Sequence, residues 1–465
     1  MTLKPSIFKA YDIRGLYPQE LNEENAEAVF KAIYTFFKKD LQKEHLSVVL
    51  GHDMRVSSPA LREVARKSLV SLGAQVIDIG LVSTPTVYYA VKKFGYDAGI
   101  QISASHNPKE YNGIKFLKKV GDKLVKIGKT TGMDDVKQIA IDGAFAPEMS
   151  GGSVTEKSDV LTQEVADALS IVAPKAIKDF TVVADAANAM GALYIEELFK
   201  HIPAKLVTMN FNLDGTFPSH QADPLQFKLL ADLQKKVVEE KADLGIAPDG
   251  DGDRVFFIDE KGEIIPATMI SSLIAREILQ KEPHEKILVD VRYTRNVVNI
   301  CKKLGGTPLL SKVGHALITE QVNKEDAAFA GESSGHFYFR EMGGCESAVR
   351  VVLYVLDAMG RENKPISEIV KELHSSYESG EYNFELPEGV AAKGVLDEIA
   401  AKYPGEISWL DGISIDFPEW RVNIRTSNTE PLMRLNVEGE TREVVQSKLK
   451  ELSDFIVSKG AVPKE

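Results

Sequence analysis

The stretch Asp97–Pro108 reads DAGIQISASHNP, an apolar run typical of a buried β-strand that opens into a polar loop. Two later stretches, Asp243–Arg254 (DLGIAPDGDGDR) and Asp326–His336 (DAAFAGESSGH), also begin with Asp and change from apolar to polar in the same way. An earlier strand-like run precedes each stretch in the chain: Ser47–Gly51, Thr181–Ala184 and Ile287–Val289. Three occurrences in this order predict three related α/β units, since chance similarity would have to recur three times.

The three polar loops follow their apolar runs where ligands bind in open α/β sheets, beyond the carboxyl ends of strands. We therefore expect each unit to present one loop, SASHNP, PDGDGDR or GESSGH, to a shared cleft. Helical stretches alternate with the strands through most of the chain, which indicates an α/β fold class.

Changes in composition divide the 465 residues into four predicted domains: 1–150, 151–258, 259–375 and 376–465. These boundaries fall near a Gly- and Ser-rich stretch at 146–159, a turn at 259–262 and a polar segment at 375–380. The last domain is predicted to be a smaller α+β domain outside the repeat. Its predicted elements are a helix at Ala391–Lys402, strands at Arg421–Ile424 and Leu432–Val437, and a helix at Thr441–Val457.

Composition and charge exclude several classes of protein. The formal net charge of −12 argues against general nucleic-acid or membrane-surface binding, because both need a basic face. No stretch approaches the ~20 apolar residues of a membrane-spanning helix, and the first residues lack the apolar core of a secretory signal. The two cysteines, Cys301 and Cys345, fit no metal-binding spacing and predict reduced thiols in a cytoplasmic protein.

The first polar loop places a serine where it can act as a nucleophile. Ser105 follows a predicted buried strand, so its hydroxyl would lie at the strand end, beside a cleft. His106 can give or take a proton next to it, and Lys115 adds a positive charge further along. The alternative is a Ser/Asn/Pro turn whose side chains only bond the backbone.

The second polar loop carries three carboxylates at alternating positions, Asp249, Asp251 and Asp253, separated by glycines. Such a loop can bring carboxylate oxygens together on one hard cation. An EF-hand is disfavoured, because its sixth position needs Gly and holds Arg254 here, and the strand-like VFFI follows. A solvated acidic turn is the other alternative, but crowded carboxylates favour a bound divalent metal.

Two further loops have the composition of ligand-binding turns. Glu332, Ser334 and His336 could pair with sugar hydroxyls, although a capping turn explains the same pattern equally well. RTSNTEP, at residues 425–431, combines Arg425 with small hydroxyl and amide side chains, as a phosphate-binding loop does. A turn between two strands is the alternative there. Other basic candidates are Arg14, Arg55, Arg292 and Arg295, each of which could equally be an ion-paired residue.

Together these segments closely resemble the α-D-phosphohexomutase family, of the phosphomannomutase/phosphoglucomutase type. The resemblance runs from AYDIRG at residues 10–15 to RTSNTEP, with the motifs in the family's order. It implies a heart-shaped molecule around a central cleft, with three related α/β domains of mixed sheets and a C-terminal α+β domain. It also implies an intramolecular phosphotransferase that interconverts hexose 1-phosphate and hexose 6-phosphate, of mannose and/or glucose, through a phosphoserine and a 1,6-bisphosphate.

The resemblance assigns expected roles to individual residues. Ser105 would carry the phosphoryl group, and one Mg²⁺ per chain would be held by Asp249, Asp251, Asp253 and a phosphoserine oxygen of Ser105. The sugar would meet Glu332, Ser334 and His336. The distal phosphate loop corresponds to Arg425, Ser427, Asn428 and Thr429. Residues around the phosphates or the proton transfers correspond to Tyr11, Arg14, His106, Lys115, Arg292 and His315.

The expected partners are small-molecule hexose phosphates, with glucose or mannose 1,6-bisphosphate as activator and intermediate, and the chain is expected to be a monomer or weak homodimer. The sequence leaves Lys115 and His106 open as the proton acceptor. Ser103 replaces the usual Thr, and Ser333 stands where this branch of the family usually has Met, so the sugar preference stays open. A phosphoglucosamine mutase, a hexose-phosphate phosphatase and a non-catalytic sugar-phosphate sensor are the alternatives.

Overall fold

The computed structural model describes residues 3–387, 389–426 and 432–464. Within these residues the chain forms four β-sheets, one in each of four successive parts of the chain, with helices packed against them. This architecture confirms the predicted fold class, including a C-terminal part that is built differently from the other three.

The first part has a mixed sheet with strand order β1-β5-β4-β2-β3-β7 and with β6 paired to β5. Its strands are β1 (Ile13–Leu16), β2 (Ser47–His52), β3 (Gln75–Leu81), β4 (Ala98–Ile102), β5 (Tyr111–Val120), β6 (Lys123–Lys126) and β7 (Ser153–Glu156). Its helices are α1 (Glu23–Leu41), α2 (Ser58–Ser71), α3 (Thr84–Phe94) and α4 (Met133–Asp142).

The second part has a sheet of order β12-β11-β10-β8-β9. Its strands are β8 (Thr181–Asp185), β9 (Lys205–Met209), β10 (Leu244–Pro248), β11 (Val255–Ile258) and β12 (Ile264–Ile265). Its helices are α5 (Val160–Val172), α6 (Gly191–Phe199) and α7 (Ala231–Glu240).

The third part has a sheet of order β14-β13-β15-β16-β17. Its strands are β13 (Lys286–Asp290), β14 (Thr307–Ser311), β15 (Phe329–Gly331), β16 (Phe337–Phe339) and β17 (Cys345–Glu346). Its helices are α8 (Ala267–Lys281), α9 (Arg295–Leu304), α10 (His315–Glu325), α11 (Ala348–Glu362) and α12 (Ile366–Leu373).

The fourth part has an antiparallel sheet of order β20-β21-β22-β23-β19-β24, with β18 paired to β23. Its strands are β18 (Tyr377–Glu378), β19 (Tyr382–Glu385), β20 (Glu406–Ser408), β21 (Ile413–Asp416), β22 (Trp420–Thr426), β23 (Leu432–Gly439) and β24 (Val462–Lys464). Its helices are α13 (Ala392–Lys402) and α14 (Arg442–Ser458). The predicted elements of this domain are confirmed.

The first three sheets share one topology, which confirms the internal repeat. In each sheet the first repeated strand (β2, β8 or β13) lies between two parallel neighbours, one on each side. The neighbour that comes later in the chain (β4, β10 or β15) then pairs antiparallel with the next strand (β5, β11 or β16). The three polar loops therefore leave the carboxyl ends of equivalent strands.

Glycine at the same place in β4 and β10 brings a helix close to the sheet. A Cβ on Gly99 would come within 2.7 Å of Val91 Cγ2 on α3, and a Cβ on Gly245 within 2.7 Å of Val237 Cγ2 on α7. Side chains in these positions would push the helices away from strands that are buried at every residue. The small residues of the repeated stretches are thus explained by packing.

The third repeated stretch differs from its prediction. Asp97 and Asp243 each accept a hydrogen bond from the first residue of the adjacent strand, Ser47 N at 2.9 Å and Thr181 N at 2.8 Å. Asp326 instead ends α10 in a left-handed conformation, with φ of 53°. Because that conformation cannot continue an extended strand, β15 begins only at Phe329 and the predicted strand Asp326–Ala330 starts too early.

Two of the sheets extend past the predicted boundaries at 150 and 258. β7 lies inside the stretch expected to be a linker, yet it pairs in parallel with β3. β12 pairs with β11, so the turn at 259–262 closes a hairpin within one sheet. Both strands are short, and β7 is largely exposed, so neither has the apolar pattern that marks a strand in sequence. The domain limits themselves stay predictions.

The first three parts share an apolar core, while the fourth has its own. One buried cluster contains side chains from the second and third parts together with one face of the first sheet and α3. A second cluster lies between the other face of the first sheet and α1, α2 and α4. The core of the fourth part is separate. Among the helices of the described residues, none combines the length and apolarity needed to cross a lipid bilayer.

The third and fourth parts meet at a polar junction. Glu438 on β23 is 1% exposed and accepts hydrogen bonds from Thr294 N at 2.9 Å and Arg295 N at 3.0 Å. Arg295 donates to main-chain oxygens of the fourth part, including Trp420 O at 2.9 Å, so its role is to join the two parts. Glu378 on β18 accepts a hydrogen bond from Thr268 at the start of α8. Burial, followed by the charge of Glu438, raises the pKa of Glu378 to about 8.

Glu378→Gln should stabilise the protein at pH 8 and have little effect near pH 5. The raised pKa means that the folded state binds a proton more tightly than the unfolded state, so wild-type stability is lost as pH rises from 4.5 towards 8. Glutamine does not ionise, and we expect a gain of about 1–2 kcal/mol in the free energy of unfolding at pH 8. Urea unfolding at both pH values measures this, with Glu406→Gln on exposed β20 as control. Equal pH dependence of the variant and the wild type would contradict the prediction.

Candidate active site

Ser105 stands directly beyond β4 in an unusual backbone conformation. Its φ is 52°, in the left-handed region that residues other than Gly, Asn and Asp seldom adopt. Its hydroxyl turns to the second part of the chain and donates to Asp249 Oδ2 at 3.0 Å. The same hydroxyl oxygen lies 3.1 Å from His106 Nδ1. The expected nucleophile thus touches both a histidine and the first aspartate of the acidic loop.

Asp249, Asp251 and Asp253 form a buried carboxylate cluster between β10 and β11. Each offers an oxygen within 4.8 Å of the others, and the three residues are at most 2% exposed. Gly252 has a φ of 77°, the left-handed conformation that this tight loop requires. Thr84, at the start of α3, donates its backbone N–H to Asp251 O at 2.9 Å and its hydroxyl to the Asp251 carboxylate.

The donor set of this cluster fits a hard divalent cation. Asp251 Oδ1 is buried and has no hydrogen-bond donor among the described residues, as expected of an atom that ligates a metal. Asp253 Oδ1 is also buried, with His336 Nε2 at 3.3 Å. Carboxylate and hydroxyl oxygens are the ligands that hard cations prefer. Burial, with repulsion from Asp253 and Asp251, raises the pKa of Asp249 well above its usual range. A metal at this position would remove that electrostatic penalty.

Lys115, on β5, supplies a positive charge to the same cluster. Its Nζ lies 2.7 Å from Asp251 Oδ2 and 2.6 Å from Asp253 Oδ2. Burial alone lowers the pKa of an ammonium group, but Asp251 and Asp253 outweigh burial and raise the pKa of Lys115 above its usual range. The side chain therefore remains a cation in the arrangement that the structure shows.

A second acidic group lies beside the first but is already neutralised. Asp253, His336 and Glu346 also have potential ligand atoms within 4.8 Å of one another. Lys126 Nζ, however, lies 2.5 Å from both Glu346 oxygens, and this pair is buried. Both oxygens of Glu346 are thus paired, whereas Lys115 reaches only the Oδ2 atoms of Asp251 and Asp253 and leaves Asp251 Oδ1 without a hydrogen-bond donor among the described residues. The three aspartates are therefore the better metal-binding cluster.

The sugar-loop candidates join the third part of the chain to this cluster. His336 Nε2 lies 3.3 Å from Asp253 Oδ1, and its Nδ1 lies 2.8 Å from Glu332 Oε2. Burial lowers the pKa of an imidazole, but these two carboxylates outweigh it and raise the pKa of His336 to about 9. Backbone contacts support the same link, since Val255 N donates to Gly335 O at 3.0 Å.

Ser333 holds its loop, GESSGH at residues 331–336, against the end of the neighbouring strand β13. Its backbone N–H and its hydroxyl both donate to Asp290 Oδ2, at 2.6 and 2.7 Å. Arg292 bridges the same region, with Nε 3.0 Å from Asp290 Oδ1 and Nη2 3.1 Å from Glu332 Oε1. The residue that departs from the family pattern is therefore fixed by a hydroxyl hydrogen bond that Met could not make.

The remaining candidates surround the three loops. Tyr11 OH donates to Val313 O at 3.4 Å, and its ring lies against His315, which in turn stacks on His336. Arg14 donates to Asn107 Oδ1, in the serine loop. Arg425 on β22 is 3% exposed, and its Nη2 lies 2.6 Å from Glu381 Oε2. The other candidates of its loop, Ser427, Asn428 and Thr429, lie outside the described residues.

Several residues that contact the site carry no signal in the sequence. Thr84 contacts Asp251, and Asp290 holds Ser333. Gln221, in the loop after β9, donates its side-chain N–H to His106 O at 2.7 Å. Each is a common polar residue in an ordinary turn or strand end, and only its distant partner makes it part of the site.

Four family models match the chain in succession. They are phosphoglucomutase/phosphomannomutase alpha/beta/alpha domain I at residues 5–130, domain II at 161–262, domain III at 267–377 and the C-terminal domain at 381–454. The chain belongs to the phosphoglucomutase/phosphomannomutase family. Members of this family are phosphotransferase isomerases, so the chain is an enzyme of that class.

Relatives of this phosphoglucomutase/phosphomannomutase family member are similar along almost the whole chain. The phosphomannomutase of Vibrio cholerae is 36% identical over 460 residues, which cover 97% of this chain and 98% of the relative. The phosphomannomutase of Methanocaldococcus jannaschii is 34% identical, with 98% of each chain covered.

Solved structures agree with this placement in the family. A phosphoglucomutase/phosphomannomutase family protein from Burkholderia thailandensis matches with a TM-score of 0.88 and 28% identity, covering 99% of this chain and 98% of its own. An N-acetylphosphoglucosamine mutase from Aspergillus fumigatus, in complex with GlcNAc-6P and magnesium, matches with a TM-score of 0.64. Its identity is 14%, with 97% of this chain and 96% of its own covered, so it shows the fold alone.

Lys115→Met should make the stability of the protein strongly dependent on divalent metal. Without the ammonium group, Asp251 and Asp253 lose their buried counter-charge, and we expect the metal-free protein to lose about 3 kcal/mol of unfolding free energy. Added Mg²⁺ should then raise the melting temperature of the variant more than that of the wild type, because it no longer competes with a cation.

Differential scanning fluorimetry with and without Mg²⁺ measures this effect. Lys118→Met, on the same strand and paired with Asp40, is the control and should respond to Mg²⁺ as the wild type does. An equal Mg²⁺ response in Lys115→Met and wild type would show that the aspartates do not form the metal site.

Proposed function

We propose that this chain interconverts hexose 1-phosphate and hexose 6-phosphate through a phosphoserine at Ser105 and a bound 1,6-bisphosphate. The observation that carries the proposal is the hydrogen bond of 3.0 Å from Ser105 Oγ to Asp249 Oδ2. It places a hydroxyl group against a buried cluster of carboxylates that fits a divalent metal. Neither a turn nor a sugar-binding surface needs a hydroxyl held at three converging carboxylates. The family's phosphotransferase chemistry needs both groups.

The reaction consists of two phosphoryl transfers in opposite directions. In the first, the bond from phosphorus to Ser105 Oγ breaks and a bond from phosphorus to the free sugar hydroxyl oxygen forms. The proton of that hydroxyl passes to a base, and Ser105 Oγ takes up a proton. The resulting 1,6-bisphosphate turns around in the cleft. Ser105 Oγ then loses its proton and takes the other phosphoryl group, while the sugar oxygen from which phosphorus departs takes up a proton. This releases the isomeric monophosphate and restores the phosphoenzyme.

We assign the metal site to Asp249, Asp251, Asp253 and an oxygen on Ser105, and the metal to one Mg²⁺ per chain. When bound, Mg²⁺ would neutralise charge that develops on the transferring group. Lys115 adds a second positive charge within 2.7 Å of two of these carboxylates. The chain itself thus provides part of the charge compensation.

We assign proton exchange with Ser105 to His106, because its Nδ1 lies 3.1 Å from the hydroxyl oxygen. Lys115 is held by two carboxylates, so its role is to supply charge rather than to accept this proton. We assign binding of the phosphoryl group to Arg14, because its side chain donates to Asn107 in the same loop. For the proton on Ser105, the proposal thus prefers His106 to Lys115, the other candidate that the sequence left open.

The distal phosphate is assigned to Arg425, Ser427, Asn428 and Thr429, and the sugar to Glu332, Ser334 and His336. Tyr11, Arg292 and His315 are assigned to the cleft wall between these two groups. A phosphate-binding arginine is indifferent to the direction of the sugar, so it can hold the bisphosphate in both orientations. Water must be kept from the phosphoserine meanwhile, and closure of the fourth part over the cleft would do this.

Mannose phosphate is the first substrate to test, because the relatives over the whole chain include phosphomannomutases from a bacterium and an archaeon. Glucose phosphate is the second, since the family's name includes both. A glucosamine-specific enzyme is not favoured, because the likeness to the N-acetylphosphoglucosamine mutase, at 14% identity, extends to the fold alone. We propose that the enzyme works in the cytoplasm as a monomer or weak homodimer, activated by glucose or mannose 1,6-bisphosphate.

Ser105→Ala should reduce mutase turnover by about 1,000-fold or more, because no other hydroxyl is proposed to carry the phosphoryl group. Coupled assays with mannose 1-phosphate, glucose 1-phosphate and glucosamine 1-phosphate measure it, with 1,6-bisphosphate and Mg²⁺ present. Ser272→Ala, whose hydroxyl bonds Thr268 O in its own helix, is the control.

Intact-protein mass spectrometry after incubation with glucose 1,6-bisphosphate separates the competing activities. A phosphate on wild-type protein and none on Ser105→Ala supports the mutase. No phosphate on the wild type would favour a sensor, and steady release of inorganic phosphate from substrate would favour a phosphatase. Near-wild-type turnover by Ser105→Ala rejects the assignment.

Arg425→Ala should mainly weaken the binding of phosphorylated sugars. A charge-assisted hydrogen bond to phosphate contributes about 1.5–3 kcal/mol, so KM should rise about 10- to 100-fold. Arg442→Ala, on the surface of the same part of the chain and stacked on Tyr377, is the control. If the variant changed only the binding of unphosphorylated sugar, the phosphate-binding role would be wrong.

A further inference from the structure

Arg55 is a buried arginine whose guanidinium group ends inside the serine loop. It follows β2 in the chain and is 1% exposed. Its Nη2 donates to Ser105 O at 2.8 Å and to Asn107 O at 2.6 Å. Its Nη1 donates to Pro108 O at 2.8 Å and to Tyr111 O at 3.0 Å. One side chain therefore satisfies four main-chain oxygens in and beside the loop that carries the proposed phosphoserine.

The loop needs this support because its central residue is strained. A non-glycine residue with a φ of 52°, such as Ser105, costs about 1–2 kcal/mol and persists only where surrounding contacts over-determine it. Arg55 binds the carbonyl of that residue and carbonyls on its C-terminal side. Without the guanidinium group, Ser105 O and Asn107 O would lose these donors, while Pro108 O would keep the hydrogen bond from Tyr111 N at 3.1 Å. The loop could then relax to an unstrained conformation.

The direction of the peptide groups adds a chemical consequence. In a trans peptide the N–H of one residue points opposite to the carbonyl oxygen of the residue before it. Since Ser105 O points to Arg55, the His106 N–H points away from it, and no described residue accepts a main-chain hydrogen bond from that N–H. The loop thus turns carbonyl oxygens towards Arg55 and leaves a peptide donor for an anion near the serine.

The second part of the chain holds the loop and Arg55 from the other side. Phe217 lies under the guanidinium group, with 5.1 Å from Arg55 Cζ to the ring centre. Gln221 donates to His106 O at 2.7 Å, a carbonyl to which Arg55 does not donate. A Cβ on Gly250, beside Asp249, would lie 2.3 Å from Ser105 O, so the acidic loop packs directly against the same peptide.

We propose that Arg55 is a positioning residue for phosphoryl transfer: it fixes the left-handed Ser105 peptide so that the serine oxygen faces the aspartates. This inference rests on the proposed phosphoserine function. Arg55 acts through the loop backbone and does not touch the reacting atoms. Lysine cannot replace it fully, because a single ammonium group cannot reach four carbonyls that a planar guanidinium binds with two nitrogens.

The test compares Arg55→Ala and Arg55→Lys with wild type in full-length enzyme with Mg²⁺ and 1,6-bisphosphate. We expect kcat to fall about 100-fold in Arg55→Ala and about tenfold in Arg55→Lys, with KM changed less than about threefold, because the serine oxygen is displaced while the substrate sites are intact. Guanidinium chloride at a non-denaturing concentration should raise the kcat of Arg55→Ala about tenfold, and it should not raise the kcat of Ser105→Ala.

Arg350→Lys is the matched control, since both arginines are buried and ion-paired, Arg55 with Asp53 and Arg350 with Glu341 in the third part of the chain. Its kcat should stay at the wild-type value. Wild-type kcat in Arg55→Ala, or loss of kcat without recovery by guanidinium in folded protein, would overturn the inference. If Arg55→Ala does not fold, Arg55→Lys decides between the outcomes. A melting temperature and a kcat equal to those of the wild type would overturn the inference, and a tenfold lower kcat in folded protein would support it.

The same measurements separate this inference from the function on which it rests. If the wild type neither turns over hexose phosphates nor gains a phosphate on Ser105 by mass spectrometry, the proposed function fails. If the wild type does both and the Arg55 variants match it, only the role of Arg55 is wrong.

Discussion

Three carboxylates buried within a few ångströms of one another repel, and within their own loop only Asp249 receives donors, from Gly252 N, Arg254 N and the Arg254 side chain. Asp251 and Asp253 receive their positive charge from other parts of the chain. Lys115 supplies charge and Ser105 a hydrogen-bond donor from the first part, and His336 supplies a contact from the third. The acidic loop of the second part is thus stabilised by contacts with both of the other sheet units. The candidate metal site is also the point at which these units are joined.

The repeated topology explains why these groups converge. In each unit the functional loop connects a parallel strand to the antiparallel strand beside it, so each loop leaves the same edge of its sheet. The shared apolar core then fixes the three edges against one another. Lys115 lies on the antiparallel strand of the first unit, which lets it reach Asp251 and Asp253 from behind the serine loop. The apolar packing between the three parts therefore sets the positions of the charged groups in the site.

The fourth part of the chain stands apart from this arrangement. It has its own core, and its polar contacts with the third part centre on Glu438 and Arg295. The proposed 1,6-bisphosphate has to turn around, so its distal phosphate needs a binding group that can release and rebind it while the serine and the aspartates stay fixed. We propose that Arg425, which lies on a separately folded sheet and is paired with Glu381, is that group. In the proposed mechanism the serine and the aspartates, which stay fixed, and Arg425, which releases and rebinds phosphate, therefore belong to parts of the chain with different apolar cores.

By itself the sequence located the three repeated stretches, the serine loop, the loop with three aspartates and the elements of the C-terminal domain. It could do so because apolar periodicity and alternating carboxylates are properties of neighbouring residues. It did not reveal that Asp326 ends a helix or that β7 and β12 extend two sheets. Nor did it reveal that Arg55 and Gln221 bind main-chain oxygens of the serine loop, or that Thr84 binds Asp251 in the acidic loop. Only the tertiary structure decided these points. A hydrogen bond between residues far apart in the chain forms only if packing places its two atoms to within a few tenths of an ångström. No local sequence pattern encodes that placement.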